Sequence, residues 1–173
     1  MKKSKTYKLI LLISILAIII SSMTVGRQIY LDRQPDIISF STIHFAGYLF
    51  FMLMPVEILF TYYLVEDFNI QILLIAALFT AIAAQIIDYI MGYFLGGRII
   101  DKLIGEKKYK KREKYINKYG GISIFIFNLF PLSSPVLSLA AGMVKYKFRY
   151  FLLYSFLGLS LKYIVLVLYF FRF

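Results

Sequence analysis

GISIFIFNLFPLSSPVLSLAAGMV, residues Gly121 to Val144, is the stretch whose reading decides how this chain is built. It is apolar enough for a membrane segment, yet Asn128, Pro131 and Pro135 interrupt it. Two prolines four residues apart rule out a continuous unkinked helix. In hydrocarbon the carbonyls they free must be satisfied by protein or by a water-lined cavity. An earlier stretch has the same character: Ile43 to Leu64 is apolar and is broken by Pro55, with Glu57 two residues beyond. An apolar run of full membrane length follows each broken stretch, Ile70 to Gly97 after the first and Tyr150 to Phe171 after the second. Broken segments in matching positions of two halves point to a polar site near the bilayer midplane.

Composition agrees with a membrane protein. Of the 173 residues, 61% are hydrophobic and 18% aromatic, above the range of a soluble domain. The length suits one domain with about five membrane segments of roughly 20 residues. With no cysteine, disulfides, thiolate chemistry and cysteine-ligated metals are excluded. No spacing of His, Asp or Glu suggests a metal site, and no cofactor motif appears, so none is expected. The net charge of +11 falls between apolar segments and not on a soluble face. It therefore suits membrane topology and anionic headgroups on the cytoplasmic side; nucleic acid is not an expected partner.

The distribution of charge fixes an expected topology. Lys2, Lys3, Lys5 and Lys8 precede an apolar run from Leu9 to Val25, read as a retained first span. A polar connector follows to Ser41. Were Ile43 to Leu64 to cross completely, the nine basic residues from Arg98 to Lys118 would lie outside, against the positive-inside rule. If both broken segments are re-entrant, sixteen of the twenty basic residues are cytoplasmic. The expected protein is thus an all-α, multi-pass cell-membrane protein. It comprises residues 1–41 as an N-terminal transmembrane helix and outer connector, then a domain over 42–173. Within that domain, 42–97 and 120–173 form an inverted repeat of re-entrant hairpin and transmembrane helix. Residues 98–119 form a basic cytoplasmic segment between them.

Helical spacing marks the inward faces. Ala77, Ala81, Gln85, Asp88, Gly92 and Gly96 share one stripe, and Ser155, Gly158 and Lys162 share another. Small residues allow close helix approach where no hydrophobic force acts between helices. Gly92, Gly96 and Gly158, with Gly142, are therefore read as packing positions. The ionisable residues ask for more. A charge at the bilayer centre is costly, so Glu57, Asp88 and Lys162 should face a cavity or each other. Asp88 and Lys162 suggest an ion pair, while Glu57 stands beyond Pro55 with no cation in local sequence. At the second tip, Asn128, Ser133 and Ser134 either cap broken helix ends or present hydroxyls and amides to a phosphate.

These residues resemble a known family. The order Tyr119-Gly120, Pro131 to Pro135, Ala141-Gly142, then Phe151 with Gly158 is similar to the C-terminal half of the DedA/VTT (SNARE-associated) membrane-protein superfamily. Pro55-Val56-Glu57 and the Asp88 to Arg98 stretch resemble its upstream motifs, so the likeness runs from about Ile43 to Leu168. Family members carry Arg-Phe-x-Pro-x-x-Arg at the second tip; here those arginines fall on Asn128 and Ser134. A tryptophan common in the last span falls on Lys162. The Ser134-Pro135 tip and Lys162-Tyr163 look closer to the small YqaA-like branch. The resemblance implies two opposed re-entrant hairpins and transbilayer movement of phospholipids or polyprenyl phosphates.

In the basic segment, Arg98, Lys107, Lys108, Lys110, Lys111 and Arg112 are expected at headgroup level. The leading functional reading is a lipid translocase whose path runs along Glu57, Asp88, Lys162 and the second tip. The alternatives are a proton- or ion-coupled solute transporter and a membrane-organising factor without transport; a homo-oligomer suits any of them. Enzymatic chemistry is not expected: the sole histidine, His44, permits no triad, and a Ser133 or Ser134 pair with Lys162 has no evident oxyanion hole.

Overall fold

The computed structural model describes residues 36–49, 56–103, 119–130 and 134–172, besides isolated positions near the N-terminus. The expected first span, the links containing Pro55 and Pro131 to Ser133, and residues 104–118 lie outside the described residues. Over the described stretches from residue 36 on, the helices in order are α1 (Ile37–Tyr48), α2 (Val56–Val65), α3 (Ile70–Leu103), α4 (Tyr119–Leu129), α5 (Ser134–Met143) and α6 (Phe148–Arg172). No strand occurs among the described residues.

Local chemistry starts and stops these helices. Asp36 caps α1, its Oδ1 accepting from the Ile38 and Ser39 amides at 2.8 Å. Asn69 caps α3 by accepting from the Ile72 amide at 3.1 Å. Pro135 is the second residue of α5, in the first turn, where a missing N–H costs nothing. It opens a helix and does not break one. Asn128 does not break one either. Its Nδ2 donates to the Ile124 carbonyl at 2.9 Å, one turn back, and α4 continues through it to Leu129. The span expected to end at Gly97 also runs on as helix to Leu103, taking in Arg98 and the start of the expected interfacial segment. Arg98-Ile-Ile-Asp-Lys-Leu103 contains no proline or glycine to stop it.

Among the described residues, two helices are long and apolar enough to cross a bilayer: Ile70–Gly96, 27 residues with mean hydropathy 2.4, and Phe148–Phe170, 23 residues with mean hydropathy 2.0. At about 1.5 Å per residue they extend roughly 40 and 35 Å, beyond the roughly 30 Å of hydrocarbon. By the same rise α1, α2 and α5 reach only about 15–18 Å, half a bilayer each. Their 12, 10 and 10 residues cannot cross singly.

The turns after α2 and α5 are the same structure. After α2 the Phe68 amide donates to the Tyr63 carbonyl and the Asp67 amide to Leu64, at 3.2 and 3.3 Å. After α5 the Tyr146 amide donates to Ala141 and the Lys145 amide to Gly142, both at 2.9 Å. This is the Schellman pattern, with a left-handed residue closing the helix. Asp67 (φ 54°) and Lys145 (φ 55°), 78 positions apart, take that role. The starts and ends of α2 and α5, and the starts of α3 and α6, are separated by the same 78 positions. The chain therefore contains a structural repeat, legible bond by bond in its turns.

The two repeats meet with α3 and α6 antiparallel. His44 bridges Thr80 of α3 to Tyr163 of α6, Asn128 bridges Gln85 to Ser155, and the Tyr89 ring stacks on Phe151 at 4.8 Å. The numbers rise along one helix as they fall along the other. The two equivalent turns thus lie at opposite ends of the bundle. One carries Glu66 and Asp67; the other carries Lys145, Lys147 and Arg149, and all five are exposed.

Glycines set the closest approaches. A Cβ at Gly92 would overlap the Leu139 carbonyl, one at Gly96 would overlap Met143 backbone, and one at Gly142 would overlap the Tyr89 carbonyl. Helices α3 and α5 therefore touch backbone to backbone. Gly158 lets α6 approach Phe125 and Asn128 of α4 in the same way. Outward faces carry the large apolar side chains, among them Ile75, Phe79, Val165 and Leu168. In water such a surface would aggregate; in a bilayer it is the lipid face.

Candidate functional site

Three helices meet at Lys162. Its Nζ donates to Glu57 Oε1 at 2.8 Å and to Tyr48 Oη at 2.6 Å. Glu57 lies in the first turn of α2, where the helix dipole favours a carboxylate. Tyr48 is the last residue of α1, so both ends of the break between α1 and α2 grip one ammonium. The Nζ also lies 5.3 Å from the Tyr48 ring centroid and 5.2 Å from that of Tyr163, within cation–π range. The lysine side chain is 7% exposed and the glutamate 22%, so the pair opens outward only on the glutamate side.

A chain of hydrogen bonds continues inward. Tyr48 Oη lies 3.1 Å from Tyr163 Oη, which lies 2.7 Å from His44 Nε2. His44 Nδ1 lies 2.7 Å from Thr80 Oγ1. Thr80 spends its single proton on the Ala76 carbonyl at 2.6 Å, so its oxygen must accept from His44 Nδ1–H. In neutral imidazole, Nε2 then accepts from the Tyr163 hydroxyl, whose oxygen accepts from Tyr48. Every bond from Lys162 to Ala76 is oriented the same way. The chain ends on a backbone carbonyl already held in α3, so it orients the Lys162 site and offers no continuing proton exit. Phe40 and Phe60 enclose it, Phe40 stacking on His44 at 4.9 Å and Phe60 packing at a tilt on Tyr163 at 4.7 Å.

Asp88 does not pair with Lys162, contrary to the sequence expectation. The reason is register. Lys162 stands beside Tyr163, at the level of Thr80, and Asp88 lies eight residues further along α3, about 12 Å at helical rise. Asp88 is buried at the level of Tyr89 and Phe151, toward the other end of the bundle. Glu57, which has no cation in local sequence, receives one from a helix 105 residues away.

Asn128 is likewise placed by tertiary contacts. Its Oδ1 accepts from Gln85 Nε2, and its Nδ2 is shared between Ile124 and Ser155 Oγ. It ties α4 to α3 and α6 from a fully buried position. Ser133 and the Ser134 side chain lie outside the described residues, as do Pro55 and Pro131 and the side chains of Arg98, Lys107, Lys108, Lys110, Lys111 and Arg112. No group of residues able to hold a metal ion occurs among the described residues.

Tyr48, His44, Thr80 and Tyr163 were not singled out as a site in the sequence. Their signal was present: hydrogen-bonding side chains inside apolar segments must find partners in hydrocarbon. His44 and Thr80 occupy buried faces of α1 and α3, at the depth of the Glu57 break.

Residues 39–172 match the family model described as the VTT domain. The chain belongs to the VTT-domain (DedA) family. It is a membrane protein of that type, consistent with the two long apolar helices and the outward-facing apolar side chains. No curated protein and no solved structure matches it.

Proposed function

We propose that this VTT-domain protein moves anionic lipid headgroups between leaflets through a polar path that includes the Glu57–Lys162 pair. The observation that carries this reading is a partly open, hydrogen-bonded ion pair about halfway along two membrane-length helices. Thr80 lies ten residues into α3, about 15 Å from its start, and the pair sits at that level. An ion pair at that depth is expensive unless it serves a function or satisfies a partner.

The bilayer placement proposed is that of two re-entrant hairpins, α1–α2 and α4–α5, entering from opposite faces of the cell membrane. Each short helix spans half a bilayer, and the equivalent turns lie at opposite ends with opposite charge. The positive-inside rule puts Lys145, Lys147 and Arg149 in the cytoplasm and Glu66 and Asp67 outside. A phosphate reaching mid-depth would compete with the Glu57 carboxylate for the Lys162 ammonium. Glu57, once released, would face a cationic headgroup. The lipid tails would remain in the bilayer, so only the headgroup needs the polar path. Asp88, Asn128, Ser133 and Ser134 belong to the proposed far side of that path. We favour translocation over a serine–lysine reaction because Lys162 Nζ is already committed to Glu57 and Tyr48.

The test is leaflet exchange in reconstituted vesicles, with fluorescent phosphatidylglycerol and a labelled polyprenyl phosphate as probes. Glu57→Gln keeps side-chain shape but removes the charge that balances Lys162. It should insert normally and lose most exchange, whereas Glu57→Asp should keep part of it. Full exchange by Glu57→Gln across the pH range would overturn the reading.

A further inference from the structure

The second hairpin contains a space that the first one fills. An apolar cleft of about 290 Å³ lies between the base of α4 and the end of α5. Ile124, Leu137, Ala140 and Val144 form its walls, with Tyr119 and Tyr146 beside its mouth. In the repeat, Ala141 of this cleft corresponds to Tyr63, 78 positions earlier, because both are the carbonyl that closes the Schellman turn. Tyr63 is 1% exposed, packs edge-on to Phe40 and Phe68, and donates its hydroxyl to the Asp36 carbonyl at 3.2 Å. It plugs the first hairpin. Ala140 likewise stands where the first repeat has Tyr62. Ala141 leaves open the position that Tyr63 fills in the first hairpin.

The mouth differs from that of the first hairpin in charge. Lys145, between the lining residues Val144 and Tyr146, and its neighbours Lys147 and Arg149 are all exposed. Lys145 Nζ and Lys147 Nζ each lie 5.8 Å from a tyrosine ring, Tyr93 and Tyr150. Both tyrosines are themselves about half exposed. Lysines and tyrosines grouped at one end of apolar helices mark the headgroup level. A cleft with apolar walls under a cationic rim is complementary to one chain and the phosphate of an anionic lipid.

We propose that this cleft is a resident site for an anionic glycerophospholipid, one acyl chain between α4 and α5 and its phosphate at Lys145 and Lys147. The inference rests on the bilayer placement proposed above but not on translocation. The site is separate from the Glu57–Lys162 pair, which lies at the opposite hairpin.

The experiment uses the full chain in phosphatidylcholine vesicles with trace phosphatidylglycerol or phosphatidylcholine carrying a photoreactive acyl chain. Crosslinked peptides are mapped by mass spectrometry. The phosphatidylglycerol probe should label the Ile124 and Leu137 to Val144 peptides several-fold more than the phosphatidylcholine probe. Ala141→Tyr, which copies the first repeat, should abolish that labelling. Ala140→Phe fills the cleft from an exposed position and should do the same if the first variant fails to fold. Lys145→Gln with Lys147→Gln should reduce the preference between the two lipids to parity. Equal labelling by both probes, or labelling that survives Ala140→Phe, would overturn the site. So would absent lipid labelling with concentration-dependent chain-to-chain crosslinks there, which would assign the cleft to a second copy. Intact site labelling in a protein with no leaflet exchange would refute translocation alone.

Discussion

Replacing Lys162 and Glu57 singly and together asks whether the pair is the linchpin between the first hairpin and α6. Lys162 donates two bonds, at 2.8 Å to Glu57 and 2.6 Å to Tyr48. Bonds involving a charged group contribute on the order of 1.5–3 kcal/mol each. Lys162→Met removes both and leaves the carboxylate without its cation. Breaking a buried pair by removing one partner costs about 3–5 kcal/mol. Glu57 is 22% exposed and keeps some access to polar surroundings, so the lower end, about 3 kcal/mol, is expected. Glu57→Gln keeps an acceptor for Lys162 and should cost about 2 kcal/mol. In the double variant neither charge is stranded, and methionine packs among Tyr48, Phe60 and Tyr163. Its cost should be about 3 kcal/mol in total, which implies a coupling of about 2 kcal/mol. The assay is reversible unfolding of the purified protein in mixed micelles at increasing denaturing-detergent fraction. A coupling below about 0.5 kcal/mol, the limit of ordinary additivity, would refute the pairing. The control cycle is Asp88→Asn with Lys162→Met. A register offset of about 12 Å predicts additivity to within about 0.5 kcal/mol.

Tyr163→Phe should leave His44 Nε2 without its donor and cost about 1–3 kcal/mol in the same unfolding assay, while Tyr62→Phe on the exposed face of α2 should be silent. His44→Phe should cost a similar amount by stranding the Tyr163 hydroxyl, and a neutral result would show that the oriented chain does not form. Gly142→Ala puts a methyl into the Tyr89 carbonyl, so the α3–α5 contact must open; a loss of at least about 1–3 kcal/mol is expected, against little for Ala140→Ser. Asn69→Cys and Lys147→Cys occupy equivalent turns of the two repeats and can be tested directly because the chain has no native cysteine. An impermeant thiol reagent should reach them from opposite sides, and labelling of both from one side would defeat the opposed-hairpin topology.

Much of the architecture is local and was therefore legible. Uninterrupted apolar runs gave the two long helices, because backbone satisfaction in hydrocarbon is a local requirement. The stripe from Ala77 to Gly96 is buried along its length at the described positions, and helical periodicity alone shows that face. The VTT-domain resemblance rested on the order of such local motifs, and residues 39–172 match that family. Asn128 misled because its type suggests a break, whereas inside α4 it bonds its own helix and two neighbours.

What the sequence by itself determined, then, was which residues lie at membrane depth and which faces turn inward. What only the tertiary structure decided was who meets whom. The sequence suggested Asp88 as the partner of Lys162 and left Glu57 alone, because a sequence carries no axial register between distant helices. The antiparallel fit of α3 and α6, bridged by His44 between Thr80 and Tyr163, puts Lys162 level with Thr80 and the first break. It leaves Asp88 two turns away. The same docking turned a histidine, three hydroxyls and a lysine from three helices into one oriented chain. Only comparing the paired turns showed that Tyr63 fills a space which Ala141 leaves open. Packing of this kind depends on volumes brought together from opposite ends of the chain, and no window of sequence contains both.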